Sequence, residues 1–271
     1  MAEKIYAKLQ TIAENVQKVY DSGYNSGYNS GYDTGHGTGY DEGTYAERKA
    51  MWDVLQQKGK RTDYNAMFAY SKYGSKNFYP QYDIKPTTIA NWFYSANNPD
   101  YCGVLNFGER LRECGITLDT SNCTNFRYAF SSATNLRGDF GTLDIRKNTD
   151  VTGIIGTAGS SAVNNNTIKF IIDESTNLKD LFVSTGNRHW IITFEGTIGQ
   201  SLNISSTNRL DTESAKTIIE TNLKNLVGTD LEGTLSFKLH SDVWAKLDTT
   251  YPREDGSTWQ DYVTTGLGWT T

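Results

Sequence analysis

The chain has 271 residues with a formal net charge of -5, and it is rich in tyrosine (17) and glycine (25) but holds only 4 prolines. The acidic balance argues against a general binder of phosphate backbones, which needs a basic surplus on one face. No 18-residue apolar run occurs, and the start MAEKIYAKLQTIAENVQ lacks the apolar core of a secretory signal, so the sequence predicts a chain that folds in a cytosol and spans no membrane.

In chain order, Ile5, Leu9, Ile12, Val16 and Val19 recur at spacings of 4, 3, 4 and 3, an a/d heptad pattern with Glu, Lys and Gln on the other faces. Such a helix either associates with copies of itself or docks its apolar face on its own domain. Residues 20 to 43 then form six tetrads, each with a ring at its first position and glycine at its fourth: Gly23, Gly27, Gly31, Gly35, Gly39 and Gly43. On an α-helix these glycines advance about 40° per tetrad, so a helical seam requires a right-handed supercoil. Each glycine costs about 1 kcal/mol relative to alanine in a helix, and packing between chains has to offset that. A glycine-seam oligomer, serial turns and a tyrosine-rich linker are the three open readings. The heptad positions and the six tetrad glycines together are the candidate oligomerisation residues. Helical character returns from Thr44 to Gln57 with Tyr45, Trp52 and Leu55, and Gly59 is a plausible stop; Lys58, Lys60 and Arg61 read as the solvated end of that helix.

Residues 61 to 86 show no clear periodicity and read as a transition segment. A second repeat follows, with ungapped copies beginning at Thr87, Thr124, Thr149 and Thr176. Each copy has an apolar residue two positions after the threonine and two more at five and six positions after it, then a Ser or Thr and a small residue. In the last three copies Leu118, Leu143 and Phe170 stand six residues before the threonine, within the β-like runs Ile116 to Asp119, Thr142 to Ile145 and Ile168 to Ile172. The unit reads as strand, turn, then short helix or 3₁₀ turn. Intervals of 37, 25 and 27 residues place the later copies in the leucine-rich range, and a helical insertion around Asn106 to Cys114 accounts for the longer first one. A further strand is expected at Ile191 to Ile198. Asp211 then caps a helix with Ala215, Ile218, Ile219, Leu223 and Leu226 inward and Gly228 at its end, and strand Thr234 to His240 leads to a Trp-rich tail.

The expected fold class is α+β: an extended helical or coiled-coil stalk, a short leucine-rich-type solenoid and a C-terminal cap. The regions are 1–60 for oligomerisation and attachment, 61–86 for transition, 87–210 for the repeats and 211–271 for the cap.

The short motifs that carry catalytic mechanisms are missing: there is no GxGxxG after a strand, no P-loop, no HExxH and no GxSxG. His36, His189 and His240 are far apart, and Cys102, Cys114 and Cys123 fit no metal or redox spacing, so reduced thiols, no metal and no cofactor are expected. The strand residues flanking each inward apolar position face outward on one sheet surface. That puts Thr117, Asp119, Thr142, Asp144, Lys169 and Ile171 in adjacent rows as candidate binding residues.

The order of heptad helix, Gly-Tyr tetrads, aromatic junction and LDTSNCTNFRYAFSSATNL (Leu118 to Leu136) resembles tail-associated minor structural proteins of phages and prophages of Gram-positive bacteria, over nearly the whole chain. Its central part is similar to BspA-type leucine-rich repeats. Ala129-Phe130 and Leu136 occupy that consensus, and Ala133 stands where the family has cysteine. The resemblance implies a non-enzymatic virion component of the tail tip, baseplate or fibre, made in the host cytoplasm. It implies assembly with itself, a trimer being the favoured state, and with other tail or baseplate proteins, and contact with a glycan or protein of the host cell surface, without nucleic acid or membrane insertion. A leucine-rich surface adhesin and a wall-degrading tail enzyme are the alternatives.

Overall fold

In the computed structural model, residues 50, 52–67, 78–94, 105–134, 136–156, 158, 166–183, 185 and 188–271 are described. The chain divides into two compact units, Met1–Glu47 and Arg48–Thr271, and all described residues belong to the second. The heptad positions Ile5 to Val19 and the tetrad glycines Gly23 to Gly43 lie outside the described residues. The second unit mixes helices with parallel strands. No helix among its described residues is long and apolar enough to cross a membrane.

Every strand pairing and bridge among the described residues is parallel. Strand β1 (Leu105–Asn106) leads into helix α1 (Phe107–Glu113) and pairs with β2 (Leu136–Arg137). Strands β3 (Asp139–Asp144), β4 (Asn166–Ile171) and β5 (Trp190–Glu195) form a three-stranded sheet in sequence order. Alternation along β4 buries Asn166, Ile168 and Phe170 and leaves Thr167, Lys169 and Ile171 on the outer face, as the period of two requires. Parallel sheets ordinarily have both faces covered; here one face is wet.

A second parallel ladder runs through the threonine copies. The amide of Thr124 donates to the Thr87 carbonyl (3.0 Å) and that of Thr149 to the Thr124 carbonyl (2.6 Å), while bridges join Thr88 to Asn125 and Asn125 to Asp150. The same pattern starts one copy earlier than the sequence suggested. Thr87 N–H donates to the Thr62 carbonyl (2.8 Å), Tyr64 N–H to the Thr88 carbonyl (3.0 Å), and Tyr64 is buried like its counterparts Ile89, Phe126, Val151 and Leu178. Part of the expected transition segment is therefore a further copy. Within each copy, the residue after the threonine turns the chain: Asp63, Thr88, Asn125, Asp150 and Asn177 accept from the amide two positions on, at 2.9 to 3.3 Å.

The expected helix or 3₁₀ turn in each copy does not form. Four positions after each threonine stand Ala66, Asn91, Tyr128, Gly153 and Asp180, all left-handed with φ between 52 and 60°. One left-handed residue interrupts right-handed helical geometry, so each copy turns instead. The apolar residues at five and six positions still point inward. Trp92, Phe93, Phe130, Ile154, Ile155, Leu181 and Phe182 are buried, and Phe93, Phe130, Phe140 and Trp190 pass ring to ring at 5.1 to 5.9 Å.

The start of the unit is closed by a side chain. Gln56 is fully buried: its Oε1 accepts from the amides of Gln81 (2.6 Å) and Tyr82 (3.1 Å), and its Nε2 donates to the Tyr82 carbonyl (2.7 Å). Trp52, one turn earlier, packs edge-on against Phe78 at 5.1 Å.

Towards the C-terminus, β5 ends before Gly196 (φ 119°), where a Cβ would stand 2.1 Å from the Ile172 carbonyl oxygen. The expected strand to Ile198 therefore stops short, and Ile198 returns as a separate bridge to Leu223. Strand β6 (Leu202–Asn203) pairs with β7 (Phe237–Lys238), a shorter strand than the expected Thr234 to His240. Asp211 caps helix α2 (Thr212–Thr217) by accepting from Ser214 N–H at 2.9 Å. The expected helix to Gly228 ends earlier: a π turn, Ile218–Asn222, leads to extended Leu223 (φ -66°, ψ 128°). Asn222 sets that end, since its Nδ2 donates to the Phe194 (3.2 Å) and Gly196 (2.9 Å) carbonyls. Helix α3 (Ser241–Thr250), helix α4 (Trp259–Asp261) and the π turn Tyr262–Gly266 complete the chain.

Candidate functional site

The sheet ladder is interrupted at one step. Ile84 bridges Leu118, and Leu143 pairs with Phe170 and Phe170 with Phe194, yet Leu118 and Leu143, equivalent positions of adjacent copies, do not pair. The turn ladder of the same two copies is closed through Asn125 and Asp150. Between segment 116–120 and β3, the hydrogen bonds among the described residues are those of Thr120. Its Oγ1 accepts from Asp144 N–H (2.7 Å) and donates to the Asp144 carbonyl (3.2 Å).

The insertion that lengthens the first repeat interval sits at this opening. Asn106 caps α1 by accepting from Glu109 N–H (3.3 Å) and also accepts from Asp139 N–H (3.3 Å), so it fixes the helix to the start of β3. Gly108 faces Asp139 so closely that a Cβ would lie 2.6 Å from Oδ2. Arg112 Nη1 meets the same carboxylate at 2.7 Å. The β3–β4 register shifts between Asp139 and Thr142, a bulge of the kind found beside binding sites.

The result is a groove of about 320 Å³ on the outer sheet face, with Leu111, Ile116, Leu118 and Ile168 among its apolar lining and Thr117, Thr142, Thr167 and Thr193 among its hydroxyls. That volume lies in the range of small binding sites, roughly 300–1,000 Å³. Two charge pairs border it, Arg112 with Asp139 and Lys169 with Glu195 at 2.6 Å.

Of the candidate binding residues, Thr117, Thr142 and Lys169 line this groove, and Asp119, Asp144 and Ile171 do not. Thr142, Lys169 and Thr193 share one register row; Asp144, Ile171 and Glu195 share the next. The two aspartates serve turns. Asp119 accepts from Ser121 N–H at 3.0 Å, and hydrogen bonding from the Ser121 side chain and then its backbone holds the carboxyl below the usual range. Asp144, expected to face outward, is buried, and it binds both the backbone and the guanidinium of Arg146, which lowers its pKa. Thr117 Oγ1 donates to Asp83 at 2.6 Å, so its hydroxyl is already engaged. Thr167, Thr193, Arg112 and Asp139 were missed by sequence reasoning. Alternation within Ile191 to Ile198 marks Thr193 as outward; nothing in the sequence marks Arg112 or Asp139.

Among the described residues, no three His, Cys, Asp or Glu side chains converge to hold an ion. His240 is occupied at a helix start, its Nδ1 accepting from Asp242 N–H at 3.2 Å. Burial pushes the Cys123 thiol up to about 12, so it is an unreactive core group. The groove therefore offers hydroxyls, paired charges and apolar floor, chemistry suited to holding a ligand. Comparison of the chain with protein-family models, with curated proteins and with solved structures found no match.

Proposed function

We propose that this protein is a non-enzymatic structural component of a phage tail, whose N-terminal region attaches or assembles it and whose repeat region, a leucine-rich-type solenoid, contacts the host cell surface. The observation that carries the reading is the joining, in one sequence, of a heptad pattern and six Gly-ended tetrads to a domain with a wet, all-parallel sheet face opening into a polar groove. Parallel pairing between successive copies supports the solenoid part, because each copy must return in the same direction to pair that way. Exposed threonines and paired charges on a rigid sheet support recognition, since rotamers there are held before a ligand arrives.

The test uses particles carrying the full chain. Replacing Gly27, Gly31 and Gly35 by Leu is expected to abolish incorporation, and Thr142→Arg with Thr193→Arg to leave incorporation intact while reducing adsorption to cells. Particles that incorporate the leucine variant normally, or that adsorb normally with both arginines, refute the corresponding half of the proposal.

A further inference from the structure

We infer that the groove between segment 116–120 and β3 takes an extended polypeptide segment, bound through its backbone to the peptide groups of Leu118 and Thr142. This rests on the recognition role proposed for the groove and names its partner class.

Backbone directions carry the inference. Thr117 and Asp119 face Ile84, since the Thr117 carbonyl accepts from Ile84 N–H (2.8 Å) and Asp119 N–H donates to the Ile84 carbonyl (2.9 Å). Alternation turns the N–H and C=O of Leu118 the other way, towards the groove. On the opposite wall, Ile145 N–H donates to the Ile171 carbonyl of β4 (3.0 Å), whereas Asp144 N–H points to Thr120. Thr142, two residues before Asp144, directs its peptide groups to the groove as well. In a closed ladder Leu118 would pair with Leu143, and its N–H would donate to the Thr142 carbonyl as Ile84 N–H does to that of Thr117. Thr120 instead joins the walls at one end by a side chain, which holds them apart.

Peptide groups on both walls call for a ligand with alternating donors and acceptors along an extended chain, as in strand addition to a sheet edge. The unpartnered hydroxyls of Thr142, Thr167 and Thr193 flank that path and accept either donors or acceptors. A saccharide is the less suited class: among the described residues, no Trp, Tyr, Phe or His lines the groove to stack against a sugar ring.

The experiment selects from a library of random linear twelve-residue peptides on the full-length protein. It then measures binding of selected peptides to the wild type, Thr142→Arg and Thr193→Arg, with thermal melts showing that both variants remain folded. Selected peptides are expected to slow amide exchange at Leu118 and Thr142. N-methylation at either of two successive central amides of the peptide should weaken binding about tenfold or more while the end positions tolerate it, because successive amides face opposite walls and both walls bond the chain. Peptides whose binding ignores both arginines, tolerates N-methylation at every central position, or leaves the Leu118 and Thr142 amides unprotected overturn the inference, as does a selection yielding no binders. Maltoheptaose or chitohexaose binding that both arginine variants abolish would overturn the peptide class yet keep the recognition groove. Normal adsorption by particles carrying both arginines would instead sink the recognition role itself.

Discussion

The five left-handed positions of the turn ladder make opposite predictions for two substitutions at equivalent sites. Ala66 adopts φ 52° and Gly153 φ 55°, yet only one of them is glycine. An L-residue in that region costs about 1–2 kcal/mol, while glycine gives back roughly 0.5–1 kcal/mol through its more mobile unfolded chain. Ala66→Gly should therefore stabilise the protein by about 0.5–1 kcal/mol. Gly153→Ala reverses the same backbone balance and adds a steric conflict, because its Cβ would stand 2.9 Å from Cδ1 and Cε1 of the Tyr128 ring. Overpacking of that kind costs about 1–3 kcal/mol, so the total loss is roughly 1.5–4 kcal/mol. Urea titration followed by circular dichroism reads both, with unchanged m-values expected. At roughly 2–4 °C per kcal/mol for a unit of this size, melting should rise by about 1–4 °C for the first variant and fall for the second. Shifts in the same direction would refute the claim that Thr62 to Met67 is a copy of the later turns.

Phe130→Ala removes a fully buried ring that touches Phe93, Phe107 and Phe140, and it should cost about 3–5 kcal/mol in the same titration. Thr120→Val keeps the volume but cuts both links to Asp144, leaving buried peptide groups unpaired; a loss of about 1–3 kcal/mol is expected, with faster amide exchange at Asp144. Asp83, Asp119, Asp144 and Asp173 all have carboxyl groups lowered from 3.8, chiefly by hydrogen bonds from Thr117, Ser121, Arg146 and Ser175. Their contribution is present above that unfolded-state value and is lost as pH falls through the lower folded-state ones, so the urea midpoint should hold from neutral pH to about 4 and drop below it. Cys123 should resist alkylation at pH 8 in the folded protein and label fully in urea, as mapped by peptide mass.

The threonine copies at 87, 124, 149 and 176 were legible because each buries residues at fixed offsets, a constraint that composition can vary without erasing. The copy at Thr62 was hidden by its content: Tyr64 brings a polar hydroxyl to a position that is wholly apolar in Ile89, Phe126, Val151 and Leu178, and Asn65 and Ala66 look like ordinary loop. The turn conformation was illegible for a related reason, since Tyr128 and Ala66 carry no glycine-like signature and the surrounding ladder imposes their left-handed backbone. Asp119 and Asp144 were expected on the outer sheet face as binding residues, yet Asp144 is buried and both carboxylates are engaged by neighbouring residues; a sequence does not reveal which carboxylate a neighbouring amide has claimed. The groove had only an indirect trace in the sequence. The 37-residue interval announced an insertion; that it would keep Leu118 from pairing with Leu143 depends on how α1 seats against Asp139.

A parallel ladder has no natural end, since its first segment offers the same hydrogen-bonding groups as every segment after it. Any extended chain in the correct phase can add there, and identical molecules can add to one another without limit. The buried amide of Gln56 supplies a donor and an acceptor to Gln81 and Tyr82 from a side chain that has no further edge to offer. It works as a chain terminator for that segment, and replacing it by an apolar residue should leave the Gln81 and Tyr82 peptide groups unpaired, an edge whose effect light scattering against concentration would read as end-to-end association.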